Sequence, residues 1–151
     1  MATSTANTLE LAVRDLILSN AKINDAVNGR IYLGHIPAYP LPKKRLIIVT
    51  GFNREPYYHL GGELAISTTL VQIDQWATDP DGMAFVGNNT SSAGEQIRKT
   101  LSGYSGVVGS VGIDVCLLER DMYDSIPPED GSDAWRRRRS LDFNITHSIT
   151  L

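Results

Sequence analysis

Strict alternation between apolar and polar residues is clearest at the C-terminal end of the chain. A period of two residues is that of a β-strand with one buried face. Residues 135–151 are therefore predicted to form one long strand. Residues 63–77 and 107–118 also alternate, with a change of phase near Leu70 that predicts a bulge or a face switch. The apolar run 46–49 predicts a further strand.

Helical periodicity marks the other parts of the chain. Apolar residues between 9 and 17 recur at i, i+3, i+4 and i+7, and Thr8 is a suitable N-cap. A short helical turn is predicted at 23–27, ending at Asn28-Gly29. A second main helix is predicted from an N-cap at Asp79, with Pro80 in its first turn, to Gly103, with apolar residues at 83–101 along one side and a weak helix-forming middle at 87–92.

The order helix, strand, strand, helix, strand, strand predicts an α+β fold. We expect a mainly antiparallel sheet of about four strands, with two main helices packed on one face. The length of 151 residues is typical of one domain, spanning 1–151.

The predicted strands are long for a chain of this size. At about 3.3 Å per residue, 135–151 would span about 55 Å, whereas a globule of this length is about 40 Å across. Bulges could break the strands, or they could project as a hairpin or loop arm, for example at 54–62. We favour pairing with another subunit, because long open edges promote aggregation.

Composition limits the classes of function. The chain has 14 Lys and Arg against 17 Asp and Glu, and a net charge of −3 gives no global field for nucleic acid or an anionic membrane. The single cysteine, Cys116, excludes an internal disulfide and a thiolate zinc cluster. No apolar run is long enough to span a membrane.

Candidate catalytic and metal-binding patterns are weak. His35, His59 and His147 have no metal-binding spacing. The glycines at 103–112 lack the Lys-Ser/Thr of a P-loop, and no Gly-x-Ser-x-Gly elbow is present. We therefore expect a protein that is not an enzyme, with no catalytic residues, no cofactor and no metal.

The sharpest charge feature is a dipolar segment near the C-terminus. Residues 119–133 carry six carboxylates against one arginine, a net charge of −5, and four consecutive arginines follow at 136–139. Strand periodicity puts two of these arginines on each face of the sheet. Three interpretations stay open: a solvated strand end, a protein interface with Arg–carboxylate pairs, or a contact with nucleic acid.

The interface interpretation names a specific set of residues. Aromatic loop residues commonly anchor interfaces, so the arm at 54–62 contributes candidates as well. The set is Arg136, Arg137, Arg138, Arg139, Glu119, Asp121, Asp124, Glu129, Asp130, Tyr57, Tyr58 and His59.

A series of short motifs follows the opening amphipathic helix along nearly the whole chain. They are AVNGRIY at 26–32, LIIV at 46–49 after a Pro-rich stretch, VQIDQWA at 71–77, IRKTLSG at 97–103 and RRSLDFNI at 138–145. In this order they resemble the small tail-completion proteins of tailed bacteriophages, the tail-terminator or tail-to-head joining family.

The resemblance implies a structural virion protein without catalytic residues. It implies a homohexameric ring that caps the tail tube, stops its polymerisation and joins the tail to the head connector. The implied partners are further copies of the chain, the major tail tube protein and the head-to-tail connector or stopper protein. DNA would pass through the ring without specific binding, and no membrane is involved. The implied location is the tail or neck of the virion, after assembly in the host bacterial cytoplasm.

Two alternatives stay open. The first is a neck connector or minor tail protein at another level of the same axis. The second belongs to a different class, a small α+β ligand-binding or hydrolytic domain.

Overall fold

A computed structural model describes residues 5–34, 45–77, 85–87, 90, 92–127 and 136–149. Within these residues the fold is a six-stranded mixed sheet that curls into a half-barrel, with three helices against one face. Strands account for 56% of it, so the sheet dominates the structure.

The elements are numbered in chain order. The helices are α1 (Leu9–Leu18), α2 (Ala21–Val27) and α3 (Ala93–Leu101). The strands are β1 (Ile31–Leu33), β2 (Leu46–His59), β3 (Gly62–Ala77), β4 (Gly106–Val108), β5 (Val111–Ile126) and β6 (Arg136–Ile149).

The sheet has the strand order β1-β2-β3-β6-β5-β4. β1 pairs with β2 in parallel, and every other neighbouring pair is antiparallel. The C-terminal strand β6 lies between β3 and β5, and its register with β3 is unbroken from Ser148, opposite Ile66, to Arg137, opposite Ala77. The centre of the sheet is therefore built from strands that are far apart in sequence.

The helices begin or end at residues whose types favour helix caps. The Thr8 side chain accepts a hydrogen bond from the Leu11 N–H at 3.3 Å, so Thr8 is the N-cap of α1 as predicted. Asn28 ends α2 in the left-handed conformation, with φ 50°, as its residue type indicated. Ser92 caps α3, so this helix begins at Ala93, after the weakly helix-forming stretch 87–92, and the predicted N-cap at Asp79 lies outside the described residues.

The core lies between the helices and one face of the sheet, here called the inner face. Its centre consists of Val49, Val71, Ile73, Phe143 and Ile145, all fully buried and on adjoining strands. The buried stripe of α1 covers these residues, as its helical period predicted. The opposite side of the sheet is called the outer face.

The predicted fold class is wrong in the size and type of the sheet. About four mainly antiparallel strands and two helices were expected, whereas the described residues form six strands, one parallel pair and three helices. The added strands β1 and β4 have three residues each, which is too short for a periodic pattern to reveal them. The third helix, α2, has seven residues and contains the short helical turn predicted at 23–27.

Two local predictions also change. The irregularity expected near Leu70 does not interrupt β3. It lies in the facing strand β2, where the register shifts between Phe52 and Glu55 and Asn53 takes φ 47°. The strand predicted at 107–118 is also longer than expected, because β5 continues into the acidic segment as far as Ile126.

The hairpin of β2 and β3 extends beyond the rest of the sheet. β6 pairs with β3 only from Ile66 onward, and β1 covers only 47–49 of β2. Residues 53–65, here called the arm, are thus a ribbon of two strands without a third described strand beside them. The segment 54–62, where an arm was expected, lies within it.

None of the described helices has the length and apolar character needed to cross a membrane.

Candidate interaction surfaces

Arg139 is the centre of a buried ionic cluster on the inner face. Its side chain is 1% exposed, and it donates through Nε and Nη2 to both carboxylate oxygens of Asp121 at 2.9 and 2.7 Å. Nη2 also donates to Glu95 Oε1 at 2.8 Å. Nη1 donates to the carbonyl oxygens of Gly87 and Val86 at 2.9 and 3.2 Å. One side chain thus joins β6, β5, α3 and the segment 85–87.

The register of the sheet explains why these residues meet. Tyr123 of β5 lies directly opposite Arg139, and the guanidinium carbon is 4.8 Å from the centre of its ring. Glu95 comes from the first turn of α3. A Cβ added at Gly94 would lie 2.5 Å from Arg139 Nη1, so only glycine leaves room for the guanidinium there.

The pKa shifts of Glu95 and Arg139 favour their charged forms. The hydrogen bond from Arg139 is the main reason why the pKa of Glu95 lies below its usual value, and it outweighs desolvation. Burial alone would lower the pKa of Arg139. The hydrogen bonds to Asp121 and Glu95 outweigh this effect, so the pKa lies above its usual value. Asp121, Glu95 and Arg139 therefore form an internal ion cluster.

Arg138 occupies the opposite face and is also paired within the chain. Its Nη2 and Nε donate to Asp74 Oδ1 at 2.9 and 3.0 Å, and Asp124 Oδ2 is 3.8 Å from Nη1. The guanidinium carbon lies 5.4 Å from the centre of the Trp76 ring. The expected alternation of the arginines between the two faces is therefore present.

The structure distributes the predicted interface residues over different environments. Arg139 lies inside the fold, and its partner Asp121 comes from the acidic segment of the same chain. Arg136 and Arg137 are half-buried at the start of β6. Glu119 accepts a hydrogen bond from Asn144 Nδ2 at 2.9 Å. Glu129 and Asp130, like His35, lie outside the described residues.

The aromatic candidates gather on the arm. Tyr58 is 68% exposed and Leu60, at the turn, is fully exposed. The Tyr57 hydroxyl lies 2.9 Å from Thr68 Oγ1. His59 Nδ1 accepts a hydrogen bond from the Gly61 N–H at 2.8 Å, so the neutral ring carries its proton on Nε2 and can donate outward.

A second apolar surface lies on the outer face of the sheet. Phe52, Leu70 and Leu117 share one row across the strands, with Asn144 between the last two, and Ile66 follows farther along β3. Leu117 is 54% exposed. We call Phe52, Ile66, Leu70 and Leu117 the outer patch. Beside it is a depression of about 170 Å³ lined by Asn53, Glu55, Thr68, Leu70, Glu119 and Asn144.

The outer patch is not among the predicted surfaces, although the sequence of β3 carries a signal for it. In β3 the apolar residues Leu64, Ile66 and Leu70 occupy one parity, and Val71 and Ile73 the other. The structure puts the second set in the core and Ile66 and Leu70 of the first set on the outer face, while Leu64 lies in the arm. Apolar residues on both faces of one strand were evidence for a second contact surface.

A polar cleft of about 200 Å³ opens near the base of the arm, on the side of α1. Glu10, Arg54, Thr69 and His147 contribute to its lining. His147 Nε2 lies 2.8 Å from Thr69 Oγ1, and burial lowers the pKa of the imidazole. Among the described residues, no group of three or more His, Cys, Asp or Glu side chains could hold a metal ion.

Cys116 is fully buried on the inner face. Desolvation raises the pKa of its thiol to about 12. The thiol is therefore protonated at neutral pH and is a poor nucleophile.

Comparison with known proteins gives a structural neighbour. No protein-family model and no curated protein sequence matches the chain. Among solved structures, it is similar to a chain from the virion of a native gene transfer agent (GTA) particle, with a TM-score of 0.62 and 17% identity. The alignment covers 97% of this chain and 99% of that chain. The two chains therefore share one fold from end to end.

Proposed function

We propose that this chain is a structural protein of a phage-like virion, and more specifically a ring-forming tail terminator. The observation that carries the proposal is the fold that it shares, over nearly the full length of both chains, with a component of a GTA virion. The motifs that resemble tail-completion proteins support it independently, because they were identified from the sequence.

The surfaces of the chain are those of an assembly protein. The arm exposes Tyr58 and Leu60, and the outer patch exposes Phe52 and Leu117. Exposed apolar side chains on two separate surfaces of a small protein are typical of contacts with other proteins. The charged cluster around Arg139 stabilises the fold itself and leaves recognition to these surfaces.

In the proposed role the protein is not an enzyme and uses no cofactor. Copies of the chain form a ring, which caps the last ring of tube protein, ends tube growth and presents its other side to the head connector. A ring needs head-to-tail contacts whose rotation closes, so each subunit must carry two different and complementary surfaces.

The test is reconstitution with the tail tube protein of the same virus. Purified chain should form rings with a central hole in negative-stain electron microscopy, and its addition should stop tube growth and label one tube end. Tube capping also distinguishes a terminator from a neck connector, which would form rings without binding tube ends. A monomer that leaves tube length unchanged would contradict the proposal.

A further inference from the structure

The tip of the arm is poorly supported by its own chain. Two-stranded hairpins are marginally stable in water, and a third strand or a packed surface normally supports them. Beyond Ile66 the arm has no described strand on either side. Two of its exposed side chains, Tyr58 and Leu60, are large and aromatic or apolar. The tip therefore has the composition of an interface anchor, because aromatic side chains are enriched at the centres of interfaces.

The outer patch cannot receive the arm of its own chain. The arm is the continuation of β2 and β3, and the same two strands carry Phe52 and Leu70 of the patch. A paired ribbon would have to fold back on its own base to reach them. The paired register Tyr58 opposite Glu63 shows that the ribbon instead continues toward its turn.

Charge favours the tip as an occupant of the patch. Residues 57–62 of the arm contain no carboxylate, whereas Glu55 and Glu119 line the depression beside the patch. The acidic rim repels phosphates and acidic peptides, which argues against nucleic acid as the occupant. Residues 57–62 bring no carboxylate to this rim, although Glu63 lies opposite Tyr58, and the Nε2–H of His59 can donate to a carboxylate of the rim.

We propose that the tip of the arm in one copy, Tyr58 with Leu60, docks on the outer patch of the next copy. Because the two surfaces lie at different places on one chain, the contact is head-to-tail and can propagate around a ring. This inference rests on the proposed ring and identifies the surfaces that join its subunits.

The test uses one variant on each side of the contact. Leu60→Asp puts a charge on the arm tip, and Leu117→Asp puts one in the patch. Both positions are exposed, so circular dichroism should show folded protein; Leu117→Ser replaces the second variant if it does not. Loss of a central anchor weakens an interface by at least about 30-fold. Sedimentation velocity should show each variant as a monomer where the wild type assembles.

Mixing the two variants gives a sharper result. The Leu60→Asp chain keeps a working patch, and the Leu117→Asp chain keeps a working arm. The mixture should form a 1:1 dimer and nothing larger, because only one intact contact is possible between them. A symmetric dimer in which each arm docks on the other copy's patch would also give this mixture, but its wild type would stop at a dimer, whereas a head-to-tail contact gives a larger wild-type assembly.

Two matched controls should assemble normally. Tyr58→Phe keeps the ring of the anchor and removes only its hydroxyl. Lys99→Asp adds a negative charge at an exposed position of α3, on the helical side of the sheet.

The outcomes separate this inference from the proposed function. Rings of Leu60→Asp with wild-type stability would overturn the arm-to-patch contact and leave the ring standing. Rings that form but no longer cap tubes would overturn it as well, and would assign the arm to the tube protein. Wild-type oligomers that respond to the variants as expected but never cap a tube would support the contact and contradict the terminator role.

Discussion

Replacement of Arg139 by alanine is the most direct test of the buried cluster. The side chain makes five hydrogen bonds, three to Asp121 and Glu95 and two to backbone carbonyl oxygens. Removing one member of a buried ion pair destabilises a protein by about 3–5 kcal/mol, because the partner charge stays buried without compensation. Both carboxylates would lose their main partner in this variant.

The structure favours the lower end of that range. Asp121 is 28% exposed at its side chain, so water can solvate it again. Glu95 keeps a second partner, since Arg98 Nη2 lies 2.9 Å from its Oε2. We therefore expect Arg139→Ala to lower the free energy of unfolding by about 3 kcal/mol. This is a large part of the roughly 5–15 kcal/mol that stabilises a typical domain.

Arg98→Ala is the matched control, because it removes a guanidinium from the same carboxylate of Glu95. The Arg98 side chain is 43% exposed, and exposed ion pairs contribute about 1 kcal/mol or less. Urea unfolding followed by circular dichroism at pH 7 measures both losses. If Arg139→Ala destabilises the protein no more than Arg98→Ala, the cluster is not the stabilising centre described above.

Three further predictions follow from single groups. The pKa of Glu95 is lowered by its hydrogen bond from Arg139, so its ionised form stabilises the fold above the ordinary pKa of 4.5. That contribution should disappear as the pH falls below 4.5 through the lower folded pKa. Urea midpoints measured from pH 7 to pH 3 should therefore decline less in Arg139→Ala than in the wild type. Parallel declines would contradict the stabilising role of the Glu95–Arg139 hydrogen bond. The Cys116 thiol, with its pKa of about 12, should not react with a thiol reagent at pH 8 until the protein unfolds; rapid modification of folded protein would show that the strand opens. Gly109 has φ 62°, and an added Cβ would contact the backbone of the N-terminal segment. Gly109→Ala should therefore lower the free energy of unfolding by more than the roughly 1–2 kcal/mol that left-handed strain alone costs. Gly103→Ala, at φ 76° with open space around it, is the control in the same unfolding assay.

Local signals predicted the elements with the most regular periodicity well. The spacing of apolar residues at 9–17 and the Thr8 cap indicated α1, and the alternation toward the C-terminus indicated β6. Each of these two patterns lies within a single continuous segment of the sequence. The position of β6 between β3 and β5 is a long-range property, and the parallel partner of β2 has three residues, so neither is encoded in a local period.

The charged residues show the same limit. Alternation correctly assigned the arginines to two faces, yet it gave no sign that Arg139 is buried. Arginine is rarely buried unless paired, and its partners here are 18 and 44 residues away in the sequence. The acidic segment and the arginine run are neighbours in the sequence, but only the antiparallel pairing of β5 and β6 brings Asp121 and Arg139 into contact.

The internal use of these charges leads to a final prediction about salt. Had the acidic segment and the arginine run joined neighbouring subunits through exposed pairs, assembly would weaken as salt rises from about 0.05 to 1 M, since the screening length falls to about 3 Å. An arm of Tyr58 and Leu60 on an apolar patch should instead persist, and sulfate should strengthen it, because excluded salts favour the burial of apolar surface. Sedimentation velocity in sodium chloride and in sodium sulfate separates the two cases. A tenfold weakening of self-association in sodium chloride would instead indicate a subunit interface formed by charged pairs of Arg136 and Arg137. These side chains lie half-buried at the start of β6.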